Sequence, residues 1–265
     1  MSDREEGRRG EARTYRGEYS GRLTNLLWPL STWVLANLIA GPIVIVFFFL
    51  LNRTRVYGRS RVPRERNTLL LSNHQSMIDS FAVGYSAFYP VSWLRPFLIP
   101  WNPAAEENFF KNRFFSWLFH QFKCIPVRPG RRDIKAIHRS VRALRDGTMI
   151  LFPEGTRSRD GAIGRGRAGA GVVILGTQPF VVPVTIDGMD DVLPVGARFP
   201  RLGRRISVYF GRPMRFEEYA DHEPSRETAQ EIVDRVMERI RFQRRVCRRI
   251  EGRGQGPGLD TGASR

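Results

Sequence analysis

His74 stands five residues before Asp79 in the run Asn73-His74-Gln75-Ser76-Met77-Ile78-Asp79, and about eighty residues later comes Phe152-Pro153-Glu154-Gly155-Thr156-Arg157-Ser158. A histidine beside a carboxylate can take the proton from an alcohol, because the carboxylate fixes the tautomer and stabilises the imidazolium that forms. A guanidinium beside a glycine turn suits a phosphate, to which it offers two parallel N–H groups. On one continuous helix five steps turn through about 500°, which leaves the two side chains roughly 140° apart. The pair can meet only if His74 lies at or before a helix start, where the backbone is free to swing the imidazole toward the acid. Asn73 is a residue type preferred at such a start, and the sequence places a strand over 68–72 and a helix over 76–85.

In the second run, Gly155 permits close backbone approach and Arg157 provides the fork for an anion. Glu154 is assigned to holding Arg157 or Arg128, or to a glycerol hydroxyl, since a carboxylate repels a phosphate.

These two runs resemble the glycerolipid acyltransferases of the lysophosphatidate acyltransferase type, the 1-acylglycerol-3-phosphate or PlsC-like family. Trp101-Asn102-Pro103-Ala104-Ala105, Lys123-Cys124-Ile125-Pro126-Val127 and Gly188-Met189-Asp190-Asp191-Val192-Leu193-Pro194 are similar to the tafazzin branch, the phospholipid transacylases. The resemblance covers roughly residues 66–213 and implies a catalytic pair His74 and Asp79 that transfers acyl groups directly, without an acyl-enzyme. It implies phosphate and glycerol contacts from Glu154, Gly155, Thr156 and Arg157. The family's further phosphate arginine falls near Pro129 here, so the role is carried to Arg128, one place early. Val182 and Pro183 resemble the last family motif, which borders the acyl groove; a plain core or edge strand explains them equally well. No cofactor is implied. The donor is acyl-CoA or acyl carrier protein, or, on the tafazzin-like reading, a second phospholipid; the partners are membrane phospholipids and lysophospholipids.

The elements that must carry these groups alternate. Strand-like runs at 68–72, 124–127, 148–152, 180–186 and 206–210 are interleaved with helix-like runs at 76–85 and 131–144. That pattern argues a single α/β domain with a mostly parallel sheet flanked by helices. Its expected extent is 52–223, after a polar arm over 1–25 and an apolar segment over 26–51. An amphipathic helix over 224–251, with packing on the sheet favoured over a second membrane contact, and a glycine-rich tail over 252–265 follow. The apolar segment has no charged residue and as a helix would extend about 39 Å, enough to cross a hydrocarbon core near 30 Å. Gly41-Pro42 is expected to split it, so an in-plane helical pair and a kinked span both remain open. Arg53, Arg55, Arg59 and Arg61 follow at once and put the catalytic domain on the cytoplasmic side if the segment spans.

With a net charge of +17 over 265 residues, the chain calls for an acidic partner, which a lipid surface and a nucleic acid both satisfy. No nucleic-acid motif accompanies the charge, so a lipid partner is expected. A non-catalytic basic protein on membrane or nucleic acid is the competing class. Cys124 and Cys247 are the only cysteines, too few for a disulfide framework and without metal-type spacing. Gly164-Arg165-Gly166-Arg167-Ala168-Gly169 fits the dinucleotide glycine pattern but follows a turn-rich stretch and not a strand, so it reads as a flexible basic loop near the phosphate site or the membrane.

Overall fold

The computed structural model describes residues 22–106, 113–128, 133–220 and 225–253. The expected arm over 1–25 and tail over 252–265 lie almost wholly outside the described residues.

Seven strands build the centre: β1 (Arg53–Tyr57), β2 (Thr68–Ser72), β3 (Asn102–Ala105), β4 (Cys124–Val127), β5 (Thr148–Leu151), β6 (Phe180–Asp187) and β7 (Arg205–Phe210). Five of them form a sheet in the order β1-β7-β6-β2-β5, parallel at every pairing except β6 with β7. The parallel pair β3-β4 joins its edge through a bridge between Trp101 and Met149. β1 and β3 were not foreseen: Arg53-Thr54-Arg55 reads as solvated charge, and β3 carries Pro103.

The strand Thr68-Leu69-Leu70-Leu71-Ser72 is buried throughout, which a strand covered on both faces requires. Side chains alternate across the pleat, so Leu70, Ile150, Val182 and Val208 enter one core and Leu69, Leu71, Met149 and Val181 the other. The first core is closed by α1 (Asp79–Phe88) and the apolar helix. The second is closed by α3 (Ile134–Arg145), α4 (Gly169–Thr177) and α6 (Arg226–Ile250); α2 (Arg113–Gln121) and the short α5 (Met189–Val192) are further helices among the described residues. In α6, Ile232, Val233, Val236, Met237 and Ile240 are fully buried at helical spacing, so this helix packs on the sheet, as the sequence favours. Each such side chain contributes roughly 1.5–3 kcal/mol. Ser225 caps it, its hydroxyl accepting from the Thr228 N–H at 3.0 Å.

The apolar stretch Leu27–Leu51 is one helix long and apolar enough to cross a membrane. It does not break at Gly41-Pro42 as the proline predicts. π-helical turns over Val34–Ala40 and Val46–Leu51 flank the pair, and their wider i→i+5 spacing accommodates the ring and the missing N–H. They also explain why Ala36, Ala40, Val44 and Phe48, four apart, all face the domain: a strict 3.6-residue turn would carry that row around the helix. Polar bonds fasten it there. The Tyr85 hydroxyl donates to the Ala36 carbonyl at 2.5 Å, and Ser92 donates to Asn37 at 2.7 Å. Leu30, Ile43 and Leu50 on the other side are more than 60% exposed.

Gly171 lets α4 cross α6, because a Cβ there would fall well inside contact distance of the Ala229 backbone carbonyl. Gly171→Ala is therefore expected to destabilise the fold by about 1–3 kcal/mol through overpacking, read as a lowered midpoint in thermal or urea unfolding.

Candidate active site

β2 ends at Ser72, and the chain turns through residues 73–78 before α1 begins at Asp79. The helix starts three residues later than expected, and Asn73 does not cap it. Its amide instead clasps β6, donating to the Ile186 carbonyl and accepting from the Ile186 N–H, both at 2.9 Å. Gln75 is held likewise, its side-chain oxygen accepting from the Met189 N–H at 3.1 Å.

Within this anchored turn the Nδ1 of His74 lies 2.9 Å from Oδ2 of Asp79. The same oxygen accepts from the backbone N–H of Gln75 at 2.6 Å and of Ser76 at 2.8 Å. Asp79 is fully buried, whereas His74 is partly open, its ring stacked on Phe152 with centroids 4.0 Å apart. A carboxylate bonded to Nδ1 fixes the tautomer that leaves Nε2 able to accept a proton. The geometric exclusion of a shared helix holds: the imidazole reaches back from the loop to the first residue of α1.

The second run enters from the end of β5. Gly155 takes the left-handed conformation at φ 68°, which only glycine adopts freely. Glu154 is buried and is bonded to neither Arg157 nor Arg128, the first of the jobs expected of it. Oε1 accepts from the His74 N–H and Oε2 from the Gly164 N–H, each at 3.1 Å. Burial pushes its carboxyl above the usual carboxylate range, against the pull of those bonds. The Ser158 N–H donates to the His74 carbonyl at 2.8 Å. Glu154 is thus a brace between the two runs.

His74, Gly155, Thr156 and Arg157 line one cavity of about 1330 Å³, with Arg128 and Arg167 also on its wall. Arg128 is exposed and ion-paired to Glu106 at 2.8 Å, an exposed pair worth about 0–1 kcal/mol; Pro129 beyond it lies outside the described residues. Arg167, which sequence reasoning left as part of a basic loop, sits over Gly155: its guanidinium nitrogen would lie 3.3 Å from a Cβ built there. The backbone N–H of Arg167 donates to the Pro153 carbonyl at 2.8 Å. Among the described residues no ion pair or hydrogen bond engages the guanidinium of Arg157 or Arg167. Away from the cations the wall turns apolar, with Phe81, Tyr85, Phe88, Leu98, Phe119 and Phe122. Val182 and Pro183 do not line it. The pleat puts Val182 in the first core, and Pro183 lies beside Gly211, where the β6–β7 pairing ends at Val184. That position spares the ladder a donor that proline lacks.

The family model described as acyltransferase matches residues 53–187. The chain is 31% identical over 160 residues to an N-acylphosphatidylethanolamine synthase of Arabidopsis thaliana, covering 56% of each chain. It is 29% identical to the tafazzin of Drosophila melanogaster, over 68% of this chain and 50% of that one. With the chloroplastic 1-acyl-sn-glycerol-3-phosphate acyltransferase LPAT1 of Arabidopsis thaliana it shares 28% over 61% of this chain and 44% of the relative. The chain thus spans about half the length of these relatives. The crystal structure of the 1-acyl-sn-glycerophosphate acyltransferase PlsC of Thermotoga maritima has the same fold, with a TM-score of 0.56 at 22% identity over 83% of this chain and 97% of that one.

Glu154→Ala leaves two N–H donors without their acceptor, each costing on the order of 1–3 kcal/mol. A fall in the urea midpoint is expected, larger than that for Thr156→Ala, whose exposed side chain braces none of the described residues.

Proposed function

This chain belongs to the acyltransferase family, and from that premise we propose that it is a membrane-bound enzyme that transfers a fatty acyl chain to the free hydroxyl of a lysophospholipid of the lysophosphatidate type. The observation that carries this reading is the bond between His74 and Asp79 placed on the same cavity wall as Arg157. The headgroup phosphate sits between Arg157 and Arg167, with Arg128 able to leave Glu106 for it at little cost. Nε2 of His74 takes the hydroxyl proton as the oxygen attacks the acyl carbonyl carbon, and Asp79 stabilises the imidazolium. Collapse of the tetrahedral intermediate breaks the bond to the donor's thiol, which leaves with the proton from His74. No acyl-enzyme forms and no cofactor is held; acyl-CoA or acyl carrier protein is the donor. The apolar wall from Phe81 to Phe122 takes the chain. The helix Leu27–Leu51 holds the enzyme at the membrane, and if it spans, the arginines after it favour a cytoplasmic catalytic domain.

A second reading rests on the tafazzin relative, which covers the larger share of this chain among the relatives named. There the donor is a phospholipid and the leaving group its glycerol hydroxyl, with the same base.

His74→Ala is expected to lower turnover by about 10²–10⁴-fold with an unchanged unfolding midpoint; full activity in that variant ends the proposal. Arg157→Ala and Arg167→Ala are each expected to raise the lysophospholipid KM by about tenfold or more, the worth of one charge-assisted hydrogen bond. Purified enzyme given labelled phospholipid and lysophospholipid, with and without acyl-CoA, separates the donors. Transfer that needs no thioester selects the second reading.

A further inference from the structure

β2, β5 and β6 all point their C-terminal ends toward the candidate site, and β7 and β1 run so that their first residues lie at that same edge. The apolar helix ends there, at Leu51, immediately before β1. The loop from Leu193 to Arg204 runs between these two places. At one end the Leu193 carbonyl accepts from the Ser76 hydroxyl at 3.1 Å, inside the turn that bears His74. At the other the Gly203 N–H donates to the Leu51 carbonyl at 2.9 Å and the Arg204 N–H to the Asn52 side chain at 3.0 Å. The Arg201 N–H donates to the Val192 carbonyl at 2.7 Å, so the loop is a built feature.

Its tip is apolar and outward. Phe199 is 81% and Leu202 55% exposed, next to a helix end whose Leu50 is 76% exposed. Arginines surround them: Arg53, Arg201, Arg204 and Arg205 are all exposed. No described residue holds any of these four guanidinium groups, and no Asp or Glu occurs between Val192 and Phe216. An apolar tip ringed by unpaired cations is complementary to an interface with acyl chains beneath and phosphates above.

We propose that the Phe199–Leu202 tip and its arginine ring form a second membrane contact, separate from the apolar helix, which docks the site-bearing edge of the sheet on an anionic phospholipid surface. This inference rests on the membrane-lipid reading of the site, but its readout needs no turnover. The native cysteines are buried, so a thiol from Leu202→Cys is the accessible one to label. The test reconstitutes the full chain with a fluorophore at that thiol in phosphatidylcholine bilayers, with and without phosphatidylglycerol, that carry an acyl-chain quencher. A label from Arg212→Cys, just past the far end of β7, is the comparison. Strong quenching at 202 against little at 212 is expected, weakened without phosphatidylglycerol. Arg201→Gln with Arg204→Gln is expected to weaken it by about tenfold or more in the anionic lipid fraction needed. Equal quenching at both sites, or equal quenching with and without phosphatidylglycerol, overturns the proposal. So does energy transfer between labels without lipid quenching, which means that a second copy covers the tip. Adding His74→Ala must leave the quenching intact, so loss of the catalytic reading and loss of this one are told apart.

Discussion

One oxygen atom, Oδ2 of Asp79, organises the site. It takes the imidazole and two backbone N–H groups, and a buried carboxylate persists only when so provided. The bonds that Oδ2 accepts also shape the turn that presents His74, so the acid serves the backbone and the ring together. Its place at the first residue of α1 adds the favourable end of the helix dipole. The remaining parts of the domain keep that turn where it is. β2 delivers the chain into it, Asn73 ties it to β6, and Gln75 ties it to α5.

Much of this arrangement was legible because it rests on short-range chemistry. The five-residue spacing excluded a common helix for His74 and Asp79, and the alternation of apolar runs gave the parallel sheet. What escaped was decided by residues far away in the chain. Asn73 has the type of a helix cap, but its amide is taken by a strand 113 residues on. Glu154 has the type that would hold Arg157 or Arg128, yet its oxygens accept from the N–H groups of His74 and Gly164, which local sequence does not reveal. For Val182 and Pro183 the strand was legible while the face stayed open between groove and core, since a pleat of period two offers both faces until its neighbours are known; those neighbours put Val182 in the core. The basic loop that carries Arg167 was expected near the phosphate site or the membrane, and Arg167 lines the cavity, but no residue of the loop was singled out; an arginine just ahead of a helix rich in small residues was the available signal.

The apolar helix shows how local strain is absorbed. Proline at position 42 did not end it, because widened turns on either side take up the defect and keep one row of small and apolar residues against the domain. One face of this helix therefore belongs to the protein core, and only the opposite face is free for lipid. Both reagents of the proposed reaction carry an acyl chain, and the cavity that holds His74 extends to Ala36 and Asn37 on that helix.

The brace made by Glu154 has a consequence for how such a chain can change. Because one carboxylate holds the backbone of His74 and of Gly164 at once, two stretches remote in sequence are mechanically a single part. Substitutions in them will not act additively: drift that is harmless in one loop alone becomes damaging when the other has moved, and repair of either must pass through the same residue. The two runs are thereby constrained to evolve in concert.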